Sequence, residues 1–133
     1  MQIAYVNTDQ VNQAEAMKMA KKYGAVVYGL RPKDPSPEGR YDAILYNLDD
    51  VLRHERSRII EGILERPSSC PKAVHGYDVS EDEINLFRLH GVAVAQRLQP
   101  ELVRILCRTA FQNLASVPPD DTLLEETWIS LAE

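Results

Sequence analysis

Short apolar runs alternate along the chain with longer stretches in which apolar residues recur every three or four positions. IAYV (3–6) is continuous and suits a strand covered on both faces. Asp9 then stands where a helix cap is needed. Val11, Ala14, Met17 and Ala20 or Tyr23 repeat at helical spacing until Gly24. AVVYGL (25–30) reads as a second strand and AILYNL (43–48) as a third. The ten residues RPKDPSPEGR between them hold three prolines and no apolar face, so a loop is predicted where a crossover helix would be usual. Ten extended residues reach roughly 30 Å, enough for a parallel crossover.

Asp49 or Asp50 is predicted to cap the next helix, whose inner side would carry Val51, Leu52, Glu55, Ile59, Ile63 and Leu64 before Arg66-Pro67 ends it. KAVHGY (72–77) is a fourth strand. Ser80 and Glu83 have the spacing of a capping box, with Val79 and Ile84 placed as a hydrophobic staple. That helix stops at His90-Gly91. VAVAQR (92–97) is a fifth strand, and Pro100 opens a last long helix with Leu102, Val103, Leu106, Ala110 and Leu114 on its inner face.

This alternation predicts an α/β fold: a three-layer, flavodoxin-like sandwich around a five-stranded parallel sheet of order 2-1-3-4-5. Residues 1–115 would form the domain. Residues 116–133 stand apart behind Pro118-Pro119, with Thr122 and Glu125 spaced as a second capping box. Leu124, Trp128 and Leu131 lie on one stripe of a short acidic helix that docks on its own domain or meets a partner.

A chain of 133 residues with 44% hydrophobic and 26% charged residues fits one globular domain. Its net charge of −5 argues against a nucleic-acid or anionic-membrane surface. No apolar run approaches the ~20 residues that span a bilayer. The N-terminus lacks the basic stretch of a signal peptide, and Cys70 and Cys107 read as two reduced thiols. A cytoplasmic protein without membrane contact is therefore expected.

In an open parallel sheet, ligands bind beyond the carboxyl ends of the strands. Asn7, Thr8 and Asp9 stand there after the first strand, Asn47, Asp49 and Asp50 after the third, Gly76, Tyr77 and Asp78 after the fourth, and Gln96 and Arg97 after the fifth. At these positions the chain resembles the receiver domains of response regulators, the CheY-like family. YDAILYNL resembles the family's third strand, IAYVNTD its acidic strand end, PKAVHGY its proline-led fourth strand and HGVAVAQR its last strand.

The resemblance implies a two-component signalling role, and the departures from it concern the chemistry. Asn47 falls on the phosphoacceptor aspartate, where an amide cannot form the acyl phosphate. Asn7 and Thr8 fall on the acidic pair that, with the acceptor, holds Mg²⁺, an ion that prefers carboxylate oxygens. Gly76 falls on the Ser/Thr that senses the phosphoryl group. Arg97 or Leu98 falls near the lysine.

A pseudo-receiver is expected: no enzyme, no metal, no cofactor, and protein contacts as output. The family's interaction face, made by its fourth helix, fifth strand and fifth helix, would here draw on Arg88, Arg97, Arg104 and Arg108, with Trp128 from the C-terminal segment. A protein partner or a second copy would bind there.

Three alternatives are weighed against this. A flavodoxin-like small-molecule site lacks the glycine-rich loop it would need. A hydrolase or metal site on His54, His75 and His90 lacks any ligand motif. Phosphorylation could instead fall on Asp49 or Asp50, past the strand end.

Overall fold

The computed structural model describes residues 1–32, 40–65 and 70–115. Its elements are β1 (Gln2–Val6), α1 (Gln10–Lys21), β2 (Val26–Leu30), β3 (Ala43–Asn47), α2 (Arg56–Glu65), β4 (Lys72–His75), α3 (Glu81–Leu89), β5 (Ala93–Ala95) and α4 (Pro100–Ala115). All strands pair in parallel, in the order β2-β1-β3-β4-β5. That is the predicted flavodoxin-like arrangement. Among the described residues no helix joins β2 to β3. The proline-rich segment at 33–39 and the C-terminal segment at 116–133, including Trp128, lie outside them.

Successive strand residues point to opposite faces, so the sheet builds two cores. On one face Ile3, Tyr5, Val27, Ala43 and Leu45 meet α1 and the Leu102, Val103, Leu106 and Ala110 side of α4. On the other, Ala4, Ile44, Tyr46 and Val74 meet Ile60 and Ile63 of α2 and Phe87 of α3. Cys107 is buried in the first core, where burial pushes its thiol up to about 11. Neither cysteine is in a disulfide.

Local signals account for most boundaries. Asp9 caps α1 by accepting from the N–H groups of Val11 and Asn12. Ser80 and Glu83 form the full capping box of α3. Gly24 and Gly91, just past α1 and α3, take the left-handed conformation that a side chain would strain. Buried Lys72 sends its ammonium to the Ile63 carbonyl, satisfying an acceptor in the last turn of α2. The His90 ring similarly meets the Leu86 carbonyl at the end of α3.

Three expectations are corrected. The inner stripe of α1 is Ala16 and Ala20, while Val11, Ala14 and Met17 face solvent. Close helix–sheet approach selects the small alanines, a preference that apolar spacing alone does not reveal. The second predicted helix starts later than Asp49 or Asp50. Asn47 caps a short 3₁₀ turn, Leu48–Asp50, the chain then runs extended through Val51 and Leu52, and α2 begins at Arg56. Leu52 is exposed in consequence. Leu114, predicted on the inner face of the last helix, is exposed in its final turn.

Candidate functional site

The carboxyl ends of β1, β3 and β4 converge on a polar cluster built around two buried amides. Asn7, just beyond β1, is 6% exposed and Asn47, the last residue of β3, is 3% exposed. Asn47 Nδ2 donates to Asn7 Oδ1 at 2.8 Å and to Asp50 Oδ2 at 3.4 Å. Its Oδ1 accepts from the Asp49 N–H at 2.9 Å, which starts the 3₁₀ turn. Asn7 Nδ2 donates to the Asp9 carbonyl at 2.7 Å. Each amide thus both accepts and donates within the cluster, as buried polar groups must to avoid a desolvation cost.

The aspartates of the β3 turn act as braces across the mouth of the sheet. Asp50 accepts from the Thr8 N–H at 2.6 Å and from the Thr8 hydroxyl at 2.8 Å, tying β3 to β1. Asp49 accepts from the Tyr77 N–H at 2.9 Å, tying β3 to β4. Neither caps a helix, because both carboxylates are drawn across the sheet instead. Their partners lie 42 and 28 residues away in sequence, so no local motif announces them.

Beneath the amides lies a second buried pair. Tyr5 Oη and His75 Nε2 stand 2.5 Å apart, with tilted rings. Burial, and then the charges of Asp50, Asp9 and Asp49, push the Tyr5 phenol far above its ordinary range. Burial lowers His75, against the pull of Asp49 and Asp50. The pair is therefore neutral with neutral, one proton shared between phenol and imidazole.

A depressed histidine favours the fold in its neutral form. That stability is complete above the ordinary value of about 6.5 and is lost as pH falls through the lower folded value. Tyr5→Phe is expected to cost about 1 kcal/mol at pH 7 by leaving the His75 nitrogen without its partner. His75→Gln is expected to flatten the acid limb below about pH 6.5. Urea midpoints measured across pH check both.

Gly76, directly after β4, shows why no hydroxyl residue stands there. A Cβ at this position would lie 2.8 Å from Val79 Cγ2 and 3.1 Å from Leu48 Cβ. Beside it, a shallow cavity of about 420 Å³ is lined by residues including Asp49, Arg56, Tyr77 and Asp78. Arg56 is paired there with Asp78 at 2.7 Å and with Glu83 at 3.0 Å, fastening α2 to the start of α3. The pairing raises Arg56 further despite partial burial. In Glu83 the Ser80 N–H and Arg56 outweigh burial and lower the carboxyl.

The expected site residues fall in two places. Asn7, Thr8, Asp9, Asn47 and Gly76 come together at the mouth. Arg97 lies just beyond β5, exposed and without an ion pair among the described residues. Magnesium needs several hard oxygens free to point inward. Here the β1 and β3 ends offer amides, and the Asp9, Asp49 and Asp50 carboxylates accept N–H or hydroxyl groups. Among the described residues no group of three His, Cys, Asp or Glu is placed to hold a metal ion. The donor set at the mouth does not fit the ion.

The helical face near β5 carries apolar residues that composition did not single out. Leu86, Leu89 and Ile105 are exposed, and Leu89 is 81% so. Leu86 and Leu89 share a side of α3 with His90, which lines a cavity with Ile105 and Thr109 of α4. Arg88 and Arg108 are exposed. Arg104 is partly buried and tied to Glu101 one turn earlier in α4. No helix among the described residues is long and apolar enough to cross a membrane.

No protein-family model and no curated protein matches the sequence. Solved structures do match the fold. A sensor protein from Polaromonas superposes with a TM-score of 0.61 at 15% identity, over 85% of this chain and 97% of its own. A two-component response regulator from Clostridium difficile gives 0.59 at 13% identity, over 86% and 98%. The receiver domain of a sensor histidine kinase from Pseudomonas aeruginosa, solved with a magnesium ion coordinated in its active-site cleft, gives 0.55 at 24% identity, over 83% and 97%. The chain has the fold of response-regulator receiver domains.

Proposed function

We propose that this chain is a signalling module that works through protein contacts, without phosphoryl transfer at its sheet mouth and without enzymatic activity. The observation that carries this reading is the Asn7–Asn47 amide pair, closed by Asp50 and Thr8 where a receiver would present carboxylates. An amide there is neither a phosphoryl acceptor nor a strong magnesium ligand. The cluster is satisfied as it stands and holds the loops without a charge change.

The contact surface in this reading is the face of α3, β5 and α4. β5 is a three-residue edge strand with half-buried side chains. Leu86, Leu89 and Ile105 supply exposed apolar area beside it, with Arg88, Arg97 and Arg108 as the polar rim. Apolar anchors inside a polar rim are the usual anatomy of a protein interface. Arg104, held by Glu101, stands one turn before Arg108 on α4. The partner is a protein or a second copy of the chain.

Two measurements test the reading. After incubation with acetyl phosphate and Mg²⁺, the intact mass is expected to stay unchanged; a phosphoryl adduct within residues 47–50 would reject phosphorylation independence. Leu89→Asp and Ile105→Asp are expected to weaken self-association or partner binding by about tenfold or more while leaving thermal stability intact. Unchanged association would reject this surface.

A further inference from the structure

No described helix lies over one face of the sheet at β2. On the face covered elsewhere by α2 and α3, β2 presents Val26 at 51% and Tyr28 at 42% exposure. Leu30 and Val6 beside them are only half-buried, and Tyr41 meets Tyr28 at 5.8 Å between ring centroids. The opposite face of the same strand is closed by α1, with Gln13 lying over Gly29. One half of one sheet face is thus apolar and uncovered by any described helix.

We propose that residues 116–133 of the same chain dock on this face, where no described helix lies. The apolar stripe Leu124, Trp128 and Leu131 needs an apolar surface, and β2 has one to offer. The dimensions agree. A helix from Thr122 to 132 would be about 16 Å long, and the five residues of β2 span about 17 Å. Residues 116–121 reach about 20 Å when extended, roughly the distance between the two helical layers at ~10 Å per layer.

The starting point agrees as well. Ile105 and Thr109 line a cavity with Lys72, Val92 and Ala93, where β4 and β5 begin. Ala115, more than one turn further on, therefore leaves α4 at the edge of the sheet where the strands start, the edge on which Val26 opens β2.

Charge favours the same match. Residues 1–115 hold all fifteen Lys and Arg and fifteen of the twenty Asp and Glu. The other five acidic residues, Asp120, Asp121, Glu125, Glu126 and Glu133, fall in 116–133, which carries the whole net charge of −5. Arg31 and Arg40 stand at the two ends of the β2–β3 connection that borders the face. An acidic, apolar-striped segment meets there an apolar surface with basic ends.

Trp128 is the only tryptophan, so its fluorescence reports docking in the full chain. A blue-shifted emission relative to the denatured chain is expected. Val26→Glu, Tyr28→Glu and, from the other side, Leu131→Glu are each expected to move it to the solvent-exposed position and raise acrylamide quenching severalfold. Far-UV circular dichroism should show the sheet intact, since Val26 and Tyr28 are surface residues. Val11→Glu, on the exposed side of α1, is expected to change nothing. Solvent-exposed emission in the unaltered chain would overturn the proposal. So would a buried Trp128 indifferent to the β2 variants, or a blue shift lost on dilution, which would place the segment on a second copy.

Discussion

Replacing Asn47 by aspartate is expected to destabilise the domain by about 3–5 kcal/mol and to leave it unphosphorylated. The change restores the residue type a receiver needs, yet the surroundings are built for an amide. The side chain is buried, and its nitrogen donates to Asn7 Oδ1 and Asp50 Oδ2. A carboxylate would turn an oxygen toward both and lose the two bonds. Asn7 is not free to swing round, because its own nitrogen holds the Asp9 carbonyl. Burial and the Asp50 charge would raise the new carboxyl, so its protonated form suits the fold. The penalty should be largest at neutral pH and shrink as pH falls, the sign expected for a carboxyl raised on folding. Urea unfolding of Asn47→Asp at pH 7 and pH 5 checks both parts.

Gly76→Thr, the companion change, is expected to cost about 2–3 kcal/mol. The added Cβ would meet Val79 Cγ2 at 2.8 Å and Leu48 Cβ at 3.1 Å. Neither neighbour can retreat easily. Val79 is buried just before the α3 capping box, and Leu48 is fixed in the turn that Asn47 caps. The urea midpoint should fall with its slope unchanged, as for a pure loss of stability. Gly76→Ala carries the same Cβ and should show most of the effect. Taken together, the two substitutions would show that the amide and the glycine at the mouth are both fixed by packing.

The fold was legible because its signals are local or periodic. Continuous apolar runs marked the five strands, and the Asp9 cap, the Ser80–Glu83 box and the glycines after α1 and α3 marked helix ends. The amide at the end of β3 was legible for the same reason, since strand order fixes where Asn47 must lie.

What stayed hidden depends on contacts through space. The braces from Asp49 to Tyr77 and from Asp50 to Thr8 join residues far apart in sequence, so both aspartates read as helix caps. The Tyr5–His75 pair spans 70 residues and joins two strands that do not neighbour each other. On α1, the larger side chains Val11 and Met17 drew the prediction, while tight packing against the sheet chose Ala16 beside the predicted Ala20.

In the proposed reading, amides and braced carboxylates close the sheet mouth and hold no divalent cation. Following the side-chain amide resonances of Asn7 and Asn47 while Mg²⁺ and beryllofluoride are added together tests this. Both pairs are expected to stay in place at millimolar concentrations of each. A saturable shift of either pair, with Gly76 moving in step, would show a metal and a phosphoryl mimic seated between β1 and β3, and would contradict it.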